Sequence, residues 1–234
     1  MKLTNASMKM LALHSFYSIL NAMEIINSDQ LVEYDDALSF MEQRVADIHA
    51  GHKDDAVWFL EHPSLYTAGT SAKEGDLLDD RFPVYKTGRG GQYTYHGPGQ
   101  RVVYLILDLK RRQQQPDIKK YIWNLEEVII RSLADFGITG ERRHGRVGIW
   151  VVQGQSENKI AAIGVRVRHW VAYHGIAINL APDLSHFGGI VPCGIQEHGV
   201  TSFEKLGVDC TMGQLDAAVE THIHALLGVH EMAG

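Results

Sequence analysis

Residues 159–180 read KIAAIGVRVRHWVAYHGIAINL, and this stretch does most to decide the fold. Its two parts, KIAAIGVRVRHWV and AYHGIAINL, predict two neighbouring strands. In the first part Val165 and Val167 alternate with Arg166 and Arg168, which is typical of a strand with one solvated face. The stretch therefore predicts a β-sheet in the middle of the chain.

Segments on both sides extend the sheet and cover it. Further strands are predicted at AVWFLEH (56–62), VVYLILDL (102–109) and VGIWVV (147–152). Amphipathic helices are predicted over 36–49, 117–137 and 211–228. Gly137 suits the end of the second helix, and Thr211 with Gln214 fits a capping box at the start of the third. We therefore predict an α/β (α+β) fold, in which helices flank a mixed β-sheet core.

The chain has 234 residues, which suits one domain with a small appendage. The first 23 residues contain no Asp or Glu, and their apolar part, MLALHSFYSIL, is interrupted by His14 and Ser15. Neither a signal peptide nor a membrane span is expected from such a segment. We interpret residues 1–23 as a flexible N-terminal extension, with Met23 as an alternative start, and residues 24–234 as a single domain.

The formal net charge is −6, which argues against a general nucleic-acid binder. The distribution is uneven, because 86–112 carries six bases against Asp108, and 141–168 carries six bases against two acids. These segments are either solvated faces or a basic rim that steers an acidic partner. The two cysteines do not make a disulfide framework, so a reducing cytosol is expected.

The stretch KTGRGGQYTYHGPGQ (86–100) has the densest set of unusual residues. It has neither the Gly-Lys-Ser/Thr end of a Walker loop nor a G-x-G-x-x-G pattern, so a glycine-rich hairpin turn would explain its glycines alone. Arg89, Tyr93, Tyr95 and His96 add a cation, aromatic walls and a titratable group. This combination favours a pocket for a long apolar ligand with one polar end.

Two other stretches carry candidate reactive side chains. Lys159 stands where a loop meets a strand, either as an ordinary exposed lysine or as a lysine in a pocket wall. Cys193, in the loop GGIVPCGIQEHGVTS (188–202), is either buried packing or a nucleophile. A nucleophilic thiolate needs a nearby cation. The candidates for that cation are Lys159, His96, His174 and His198.

No metal site is expected from the histidines. His222 and His224 are two residues apart on a predicted helix, so they face different ways. The sequence contains no C-x-x-C and no H-E-x-x-H.

Five segments together resemble the lipoyl(octanoyl) transferase family, within the biotin/lipoate protein ligase fold group. They are HPSLYTAG (62–69), RGGQYTYHGPGQ (89–100), KIAAIGVRVR (159–168), HGIAINL (174–180) and VPCGI…GVTS (191–202). They occur in family order and cover most of the chain. The resemblance implies the biotin/lipoate protein ligase (class II aminoacyl-tRNA synthetase-like) fold, and a catalytic acyltransferase domain over 24–234.

The resemblance also implies a reaction and the residues that carry it. An octanoyl (or lipoyl) group is taken from acyl carrier protein and placed on the ε-amine of a lysine in a lipoyl domain. Cys193 is then the acyl-thioester nucleophile and Lys159 its partner. The residues implied for the acyl site are Arg89, Gly90, Gly91, Gln92, Tyr93, Thr94, Tyr95, His96, Ala162, Ile163, Gly164, Gly175, Ile176 and Ala177.

The same resemblance sets the expected partners. The acceptors are lipoyl domains of 2-oxoacid dehydrogenases and the glycine cleavage H protein, and their acidic character favours the docking-rim interpretation of the basic segments. We expect no cofactor, no metal, no nucleic acid and no membrane partner, and a monomer in the cytoplasm.

Two alternatives to this function remain. The first is an ATP-dependent lipoate or biotin protein ligase of the same fold, which needs no cysteine nucleophile. The second is a non-catalytic binding protein that retains the fold. Cys193 is the feature that separates the transferase from both.

Overall fold

The computed structural model describes residues 23–191 and 199–228, in which α-helices precede, separate and follow two runs of strands. The strands are β1 (Met23–Asn27), β2 (Asp55–Leu60), β3 (Leu65–Ala68), β4 (Val84–Lys86), β5 (Tyr93–His96), β6 (Gln100–Asp108), β7 (Glu141–Arg143), β8 (Arg146–Gln153), β9 (Ser156–Arg168), β10 (Val171–Asn179) and β11 (Gly199–Val200). The helices are α1 (Tyr34–His49), α2 (Leu109–Arg112), α3 (Ile118–Ala134) and α4 (Met212–Leu227).

Most of the strands form one mixed sheet. Its order is β1-β2-β6-β10-β9-β8-β7, and β11 pairs with β9 outside this path. The β1–β2 and β9–β11 pairs are parallel, and the other pairs are antiparallel. A smaller sheet has the order β4-β3-β5. The predicted mixed sheet is thus confirmed, whereas the smaller sheet was not predicted.

The predicted strand pair at 159–180 is β9 and β10. The two strands are antiparallel, with Gly164 opposite Gly175 and Ala162 opposite Ala177. His169 and Trp170 join them with φ angles of 54° and 65°. Positive φ at both central residues is the geometry of a tight hairpin whose twist matches that of the strands. This turn fixes which residues of β9 and β10 face each other.

Helices cover both faces of the main sheet. The face built by Val103, Leu105 and Ile176 packs on α3 and α4, and the face built by Val102 and Tyr104 packs on α1. A sheet buried on both faces accounts for the nearly continuous apolar run of β6. None of the helices in the described part of the chain is long and apolar enough to cross a membrane.

Two of the predicted capping features are confirmed, although α1 begins at Tyr34 and α3 ends at Ala134, each a few residues before its predicted bound. Thr211 and Gln214 form a capping box at the start of α4. Beyond α3, Gly137 has a φ of 74°, and the amide of Ile138 donates to the carbonyl of Leu133 at 3.0 Å. Glycine is favoured at this position because it adopts positive φ without a steric penalty.

The boundary of the predicted N-terminal extension needs a correction. Met23 was assigned to the extension, but it is the first residue of β1 and pairs with Asp55 of β2. Residues 1–22 lie outside the described residues.

A buried ion-pair cluster ties the main sheet to α2 and α4. Asp55 is 2% exposed and accepts hydrogen bonds from Arg112 Nε at 2.5 Å and from an Arg111 guanidinium nitrogen at 3.1 Å. Arg112 also donates to the carbonyl of Leu227, in the last turn of α4, at 2.7 Å. The cluster therefore joins residues that are far apart in the chain.

Asp55→Ala should reduce the free energy of unfolding by about 3–5 kcal/mol, because it leaves the buried Arg112 charge without its carboxylate. Urea denaturation measures the change. The control is Asp79→Ala, which breaks an exposed pair with Arg81 and should leave the free energy almost unchanged. Equal effects of the two variants would contradict this role for Asp55.

Candidate active site

A cavity of about 280 Å³ lies between the main sheet and the smaller sheet. Small-molecule sites usually enclose roughly 300–1,000 Å³, so this cavity suits a small or thin ligand. It is lined by most of the residues predicted for the reactive centre and the acyl site, namely Arg89, Gly91, Gln92, Tyr93, Thr94, His96, Lys159, Ala162, Ile163, Gly164, Gly175, Ile176 and Ala177. Three segments distant in sequence are thus brought to one place.

Two predicted acyl-site residues, Gly90 and Tyr95, do not line the cavity. Gly90 is exposed, and its amide donates to the carbonyl of Val165 at 3.0 Å. Tyr95 lies on the opposite face of β5 from Thr94 and His96. Its hydroxyl is 3.0 Å from Ser64 Oγ and 2.9 Å from His186 Nδ1. The alternation of side chains along a strand sends Tyr95 into the packing of the smaller sheet.

Lys159 is 7% exposed and lies in the cavity wall, so the interpretation as an ordinary exposed lysine is wrong. Its Nζ donates to the carbonyl of Val147 at 3.2 Å and lies 4.8 Å from the centroid of the Trp150 ring. A carbonyl dipole and an aromatic face both favour a cation. The surroundings therefore hold a positive charge at the edge of an otherwise mostly apolar space.

The described residues that flank the segment 192–198, which contains Cys193, lie at the cavity on both sides. Before it, Phe187 lines the cavity, and the amide of Val191 donates to the carbonyl of Asp76 at 2.8 Å. After it, β11 pairs with Lys159 itself, because Val200 lies opposite Lys159 and the amide of Thr201 donates to the Lys159 carbonyl at 2.9 Å. Cys193 and His198 belong to residues 192–198, which lie outside the described residues.

Arg89 supports the glycine-rich loop as well as lining the cavity. Its guanidinium donates to Thr67 Oγ1 at 2.6 Å, to the Thr67 carbonyl at 2.8 Å and to the Gln92 carbonyl at 2.9 Å. These bonds hold the loop against β3. A buried guanidinium is stable here because carbonyl and hydroxyl oxygens satisfy its donors.

Two of the glycines predicted for the acyl site, Gly164 and Gly175, are required by packing. A Cβ on Gly164 would meet Arg89 Cδ at 2.8 Å, and one on Gly175 would meet the Val103 carbonyl oxygen at 2.2 Å. Room for a substrate was the predicted reason for these small residues. The structure adds a second reason, because the side chain of Arg89 and the backbone of β6 already occupy the space.

Two buried histidines, His96 and His174, line the cavity, and a third, His62, lies behind His96 with their ring centroids 5.8 Å apart. Burial lowers the pKa of His62 to about 4, and it lowers the pKa of His96 and that of His174 to about 3. The imidazoles of His96 and His174 are therefore neutral at pH 7. The expectation that either could be the cation beside the Cys193 thiolate is wrong, and of the named candidates in the described residues only Lys159 remains.

A polar network that the sequence did not predict fixes the tautomer of His96. Gln100 Nε2 donates to Asn179 Oδ1 at 2.9 Å and to the carbonyl of Tyr95 at 3.2 Å. Its Oε1 must then accept the proton of His96 Nδ1, 2.7 Å away, which leaves His96 Nε2 as an acceptor. The signal was present, since Gln100 ends the RGGQYTYHGPGQ motif and Asn179 lies near the end of the predicted strand AYHGIAINL.

The basic segments form a weaker rim than predicted. Arg142 pairs with Glu126 and Glu127, and Arg143 and Arg146 both pair with Glu157. Within 86–112, Arg101, Arg111 and Arg112 likewise pair with buried or partly buried carboxylates. These six of the twelve positive charges are compensated inside the protein, which reduces the field available to steer an acidic partner.

Comparison with solved structures identifies the fold of the chain. A bi-partite lipoate protein ligase from Thermoplasma acidophilum has the same fold, with a TM-score of 0.65 at 15% identity over 88% of this chain and 84% of that one. The predicted lipoate ligase fold is confirmed.

Sequence comparison then gives the family. Residues 33–224 match the model of the lipoyl protein ligase A/B catalytic domain. An octanoyltransferase of Paramagnetospirillum magneticum is 64% identical over 194 residues, which cover 82% of this chain and 91% of that protein. An octanoyltransferase of Rhodospirillum rubrum is 58% identical over 208 residues, or 88% and 95% of the two chains. The chain therefore belongs to the lipoyl protein ligase A/B catalytic domain family, and it is an acyltransferase that transfers octanoyl groups in protein lipoylation.

The buried histidines should make folding stability depend on pH. Their pKa values are about 3 to 4 in the folded state and roughly 6.5 in the unfolded chain, so below pH 6.5 the unfolded state binds more protons. The free energy of unfolding should fall by roughly 3–4 kcal/mol between pH 7.5 and pH 5.5, a little over 1 kcal/mol for each histidine.

Urea denaturation at the two pH values measures this difference. His62→Gln should reduce the pH dependence by about a third, since it removes one of three equal contributions. Replacing the exposed His52 by Gln should leave it unchanged. A stability that does not vary between these pH values would contradict the neutral state of the three imidazoles.

Proposed function

We propose that the octanoyl group is carried as a thioester on Cys193, that Lys159 is the partner of this thiol, and that acyl carrier protein delivers the group. The observation that carries the proposal is the strand pairing between Lys159 and β11, which follows the segment that contains Cys193. Lys159 is buried in the wall of the cavity, and β11, a few residues after Cys193, pairs with it. Because consecutive Cα atoms are about 3.8 Å apart, the covalent chain limits how far Cys193 can lie from Val191.

The first step exchanges one thioester for another. The Cys193 thiolate attacks the carbonyl carbon of the donor thioester, the bond from carbon to the carrier sulfur breaks, and the carrier leaves as a thiol with a proton from Lys159. The Lys159 ammonium favours the attacking thiolate before this step. Since the bond formed and the bond broken are of the same kind, the step needs no ATP.

The second step forms an amide. The ε-amine of the acceptor lysine attacks the Cys193 thioester, and the bond from carbon to the Cys193 sulfur breaks. The proton lost by the amine passes to the neutral amine of Lys159, which restores the ammonium. An amide is more stable than a thioester, so transfer is favourable. Backbone N–H groups stabilise the oxyanion in both steps.

The apolar part of the cavity holds the octanoyl chain. Val102, Tyr104, Ala162 and Ala177 supply carbon surface, while Lys159, Gln100 and Asn179 give one end polar character. Burial stabilises a hydrocarbon by about 0.8 kcal/mol for each CH₂, so the chain contributes several kcal/mol to binding. A cavity with one polar end matches an acyl group that reacts only at its carbonyl.

The proposed acceptors are the lipoyl domains of 2-oxoacid dehydrogenases and the glycine cleavage H protein. The octanoyltransferase relatives support acceptors of this kind. We place the enzyme in the cytoplasm as a monomer, where a reducing environment keeps the Cys193 thiol available.

The first test is the mass of the intact protein after mixing with octanoyl-acyl carrier protein, without ATP or Mg²⁺. The wild type should gain one octanoyl group, and Cys193→Ser should gain none, because the hydroxyl replaces the thiolate nucleophile. Cys210→Ser is the matched control and should form the adduct, since Cys210 lies on the approach to α4 and not at the cavity.

Either alternative function would give a different result. Transfer that depends absolutely on ATP would indicate a ligase. A Cys193→Ser protein with unchanged function would indicate a binding protein.

The second test is the pH dependence of Cys193 alkylation. Lys159→Ala should move the profile to higher pH, because the thiolate loses its neighbouring cation and the pKa of the thiol rises. Lys119→Ala, on the exposed side of α3, should leave the profile in place. An identical profile for Lys159→Ala and the wild type would contradict the proposed role of Lys159.

A further inference from the structure

One residue in the cavity wall departs from strand geometry. His174, within β10, has a φ of 61°, in the left-handed region. This conformation is uncommon for residues other than glycine, and it persists only where the surrounding structure imposes it. Residues in such conformations are concentrated at ligand sites. The position of His174 in the cavity therefore calls for an explanation.

The left-handed conformation reverses the direction of the imidazole. Neighbouring residues of a regular strand point to opposite faces. The His174 ring nevertheless stacks on the Tyr173 ring, with centroids 5.0 Å apart and planes at 21°. It also meets the Tyr104 ring edge-on, at 5.9 Å. Both tyrosines pack on the α1 face of the main sheet, so the imidazole lies on the cavity side.

His174 marks one end of the cavity. The lining extends from Lys159 to Gly164 on β9 and from Asn179 to His174 on β10. Gly164, Gly175 and Tyr104 lie side by side across the three central strands, which puts the far end of the cavity at one level. The Cα of Lys159 is at the opposite end, about 16 Å away along the strands at roughly 3.3 Å per residue. Its side chain, about 6 Å long when extended, reaches back toward Gly164, because Nζ donates to the carbonyl of Val147, which lies beyond the Ile149–Ala161 pair on that side. About 10 Å therefore separate the amine from the far end along the strands.

An octanoyl chain fits between these two ends. Its extended length is about 9 Å, from carbon–carbon bonds of roughly 1.5 Å. With the carbonyl beside Lys159 Nζ, the chain spans the roughly 10 Å that remain, so the terminal methyl group lies near Gly175 and approaches the imidazole.

We infer that His174 closes the far end of the acyl cavity and thereby limits the length of the acyl chain that the enzyme accepts. The inference rests on the proposed function, because it needs the acyl carbonyl at Lys159.

Packing holds the imidazole in place. His174 is 2% exposed, and its Nε2 has no hydrogen-bond partner among residues 23–191 and 199–228. The ring is fixed by its stacking on Tyr173, its contact with Tyr104 and the backbone conformation. Its volume is therefore what the end of an acyl chain meets.

His174→Gly tests the inference, because glycine adopts positive φ without strain and removes the wall. The ratio of kcat/KM for decanoyl-acyl carrier protein to that for octanoyl-acyl carrier protein should rise about tenfold, since two more methylenes gain a buried site. Calorimetric titration with free octanoic and decanoic acid should show the same change of preference without any transfer step.

The control is His169→Gly. His169 also has positive φ, but it is exposed in the β9–β10 turn and outside the cavity lining. This variant should keep the wild-type ratio. It separates the loss of the wall from the general effect of a glycine in the hairpin.

His174→Asn keeps the test decisive if the glycine variant does not fold. Asparagine tolerates the left-handed region and is shorter than histidine, so it should shift the ratio in the same direction by a smaller factor. A variant that loses activity equally with all chain lengths, at an unchanged ratio, would overturn the inference. Failure of the proposed function is a separate result, since the wild type would then form no octanoyl adduct on Cys193.

Discussion

The register between β9 and β10 is the constraint on which the site depends. It places Gly164 opposite Gly175 and Ala162 opposite Ala177, so small residues form the floor of the cavity. The same register puts Lys159 at one end of the lining and His174 at the other. A slip of one residue would turn the side chains of a strand to the opposite face of the sheet. The tight hairpin turn at His169 and Trp170 prevents such a slip.

Burial then decides which side chains are charged. The three buried histidines lose their proton because a low-dielectric surrounding disfavours the cation. Arg89 keeps its charge, since guanidinium is effectively always protonated, but oxygens of Thr67 and of the loop are bound to it. Lys159 lies in the wall of the cavity, beside the Val147 carbonyl and the Trp150 ring.

Features that depend on local sequence could be predicted. The β9–β10 pair, the capping box at Thr211 and the glycine after α3 follow from patterns within a few residues of each other. Lys159 was placed correctly in a pocket wall because the segments around it resemble a known family. The site residues were largely brought together as expected, but their roles as ligands of an acyl chain stay a prediction.

Features that depend on packing between distant segments could not be predicted. The side of β5 on which Tyr95 lies is set by Ser64 and His186, which are far from it in sequence. The pairing of Arg142 with Glu126 cancels a charge that the sequence shows as unbalanced. The backbone of His174 is another such case, because no local pattern requires positive φ inside a strand.

The facing glycines of β9 and β10 have a consequence for how variants of this enzyme behave in cells. Any side chain at Gly164 or Gly175 must displace Arg89 or the backbone of β6, so it acts on folding before it acts on the substrate. Changes of one or two kcal/mol in stability alter the abundance of a protein several-fold in vivo. Loss of lipoylation caused by such a variant therefore reflects a lower amount of folded enzyme. A chaperone or a lower growth temperature should restore it.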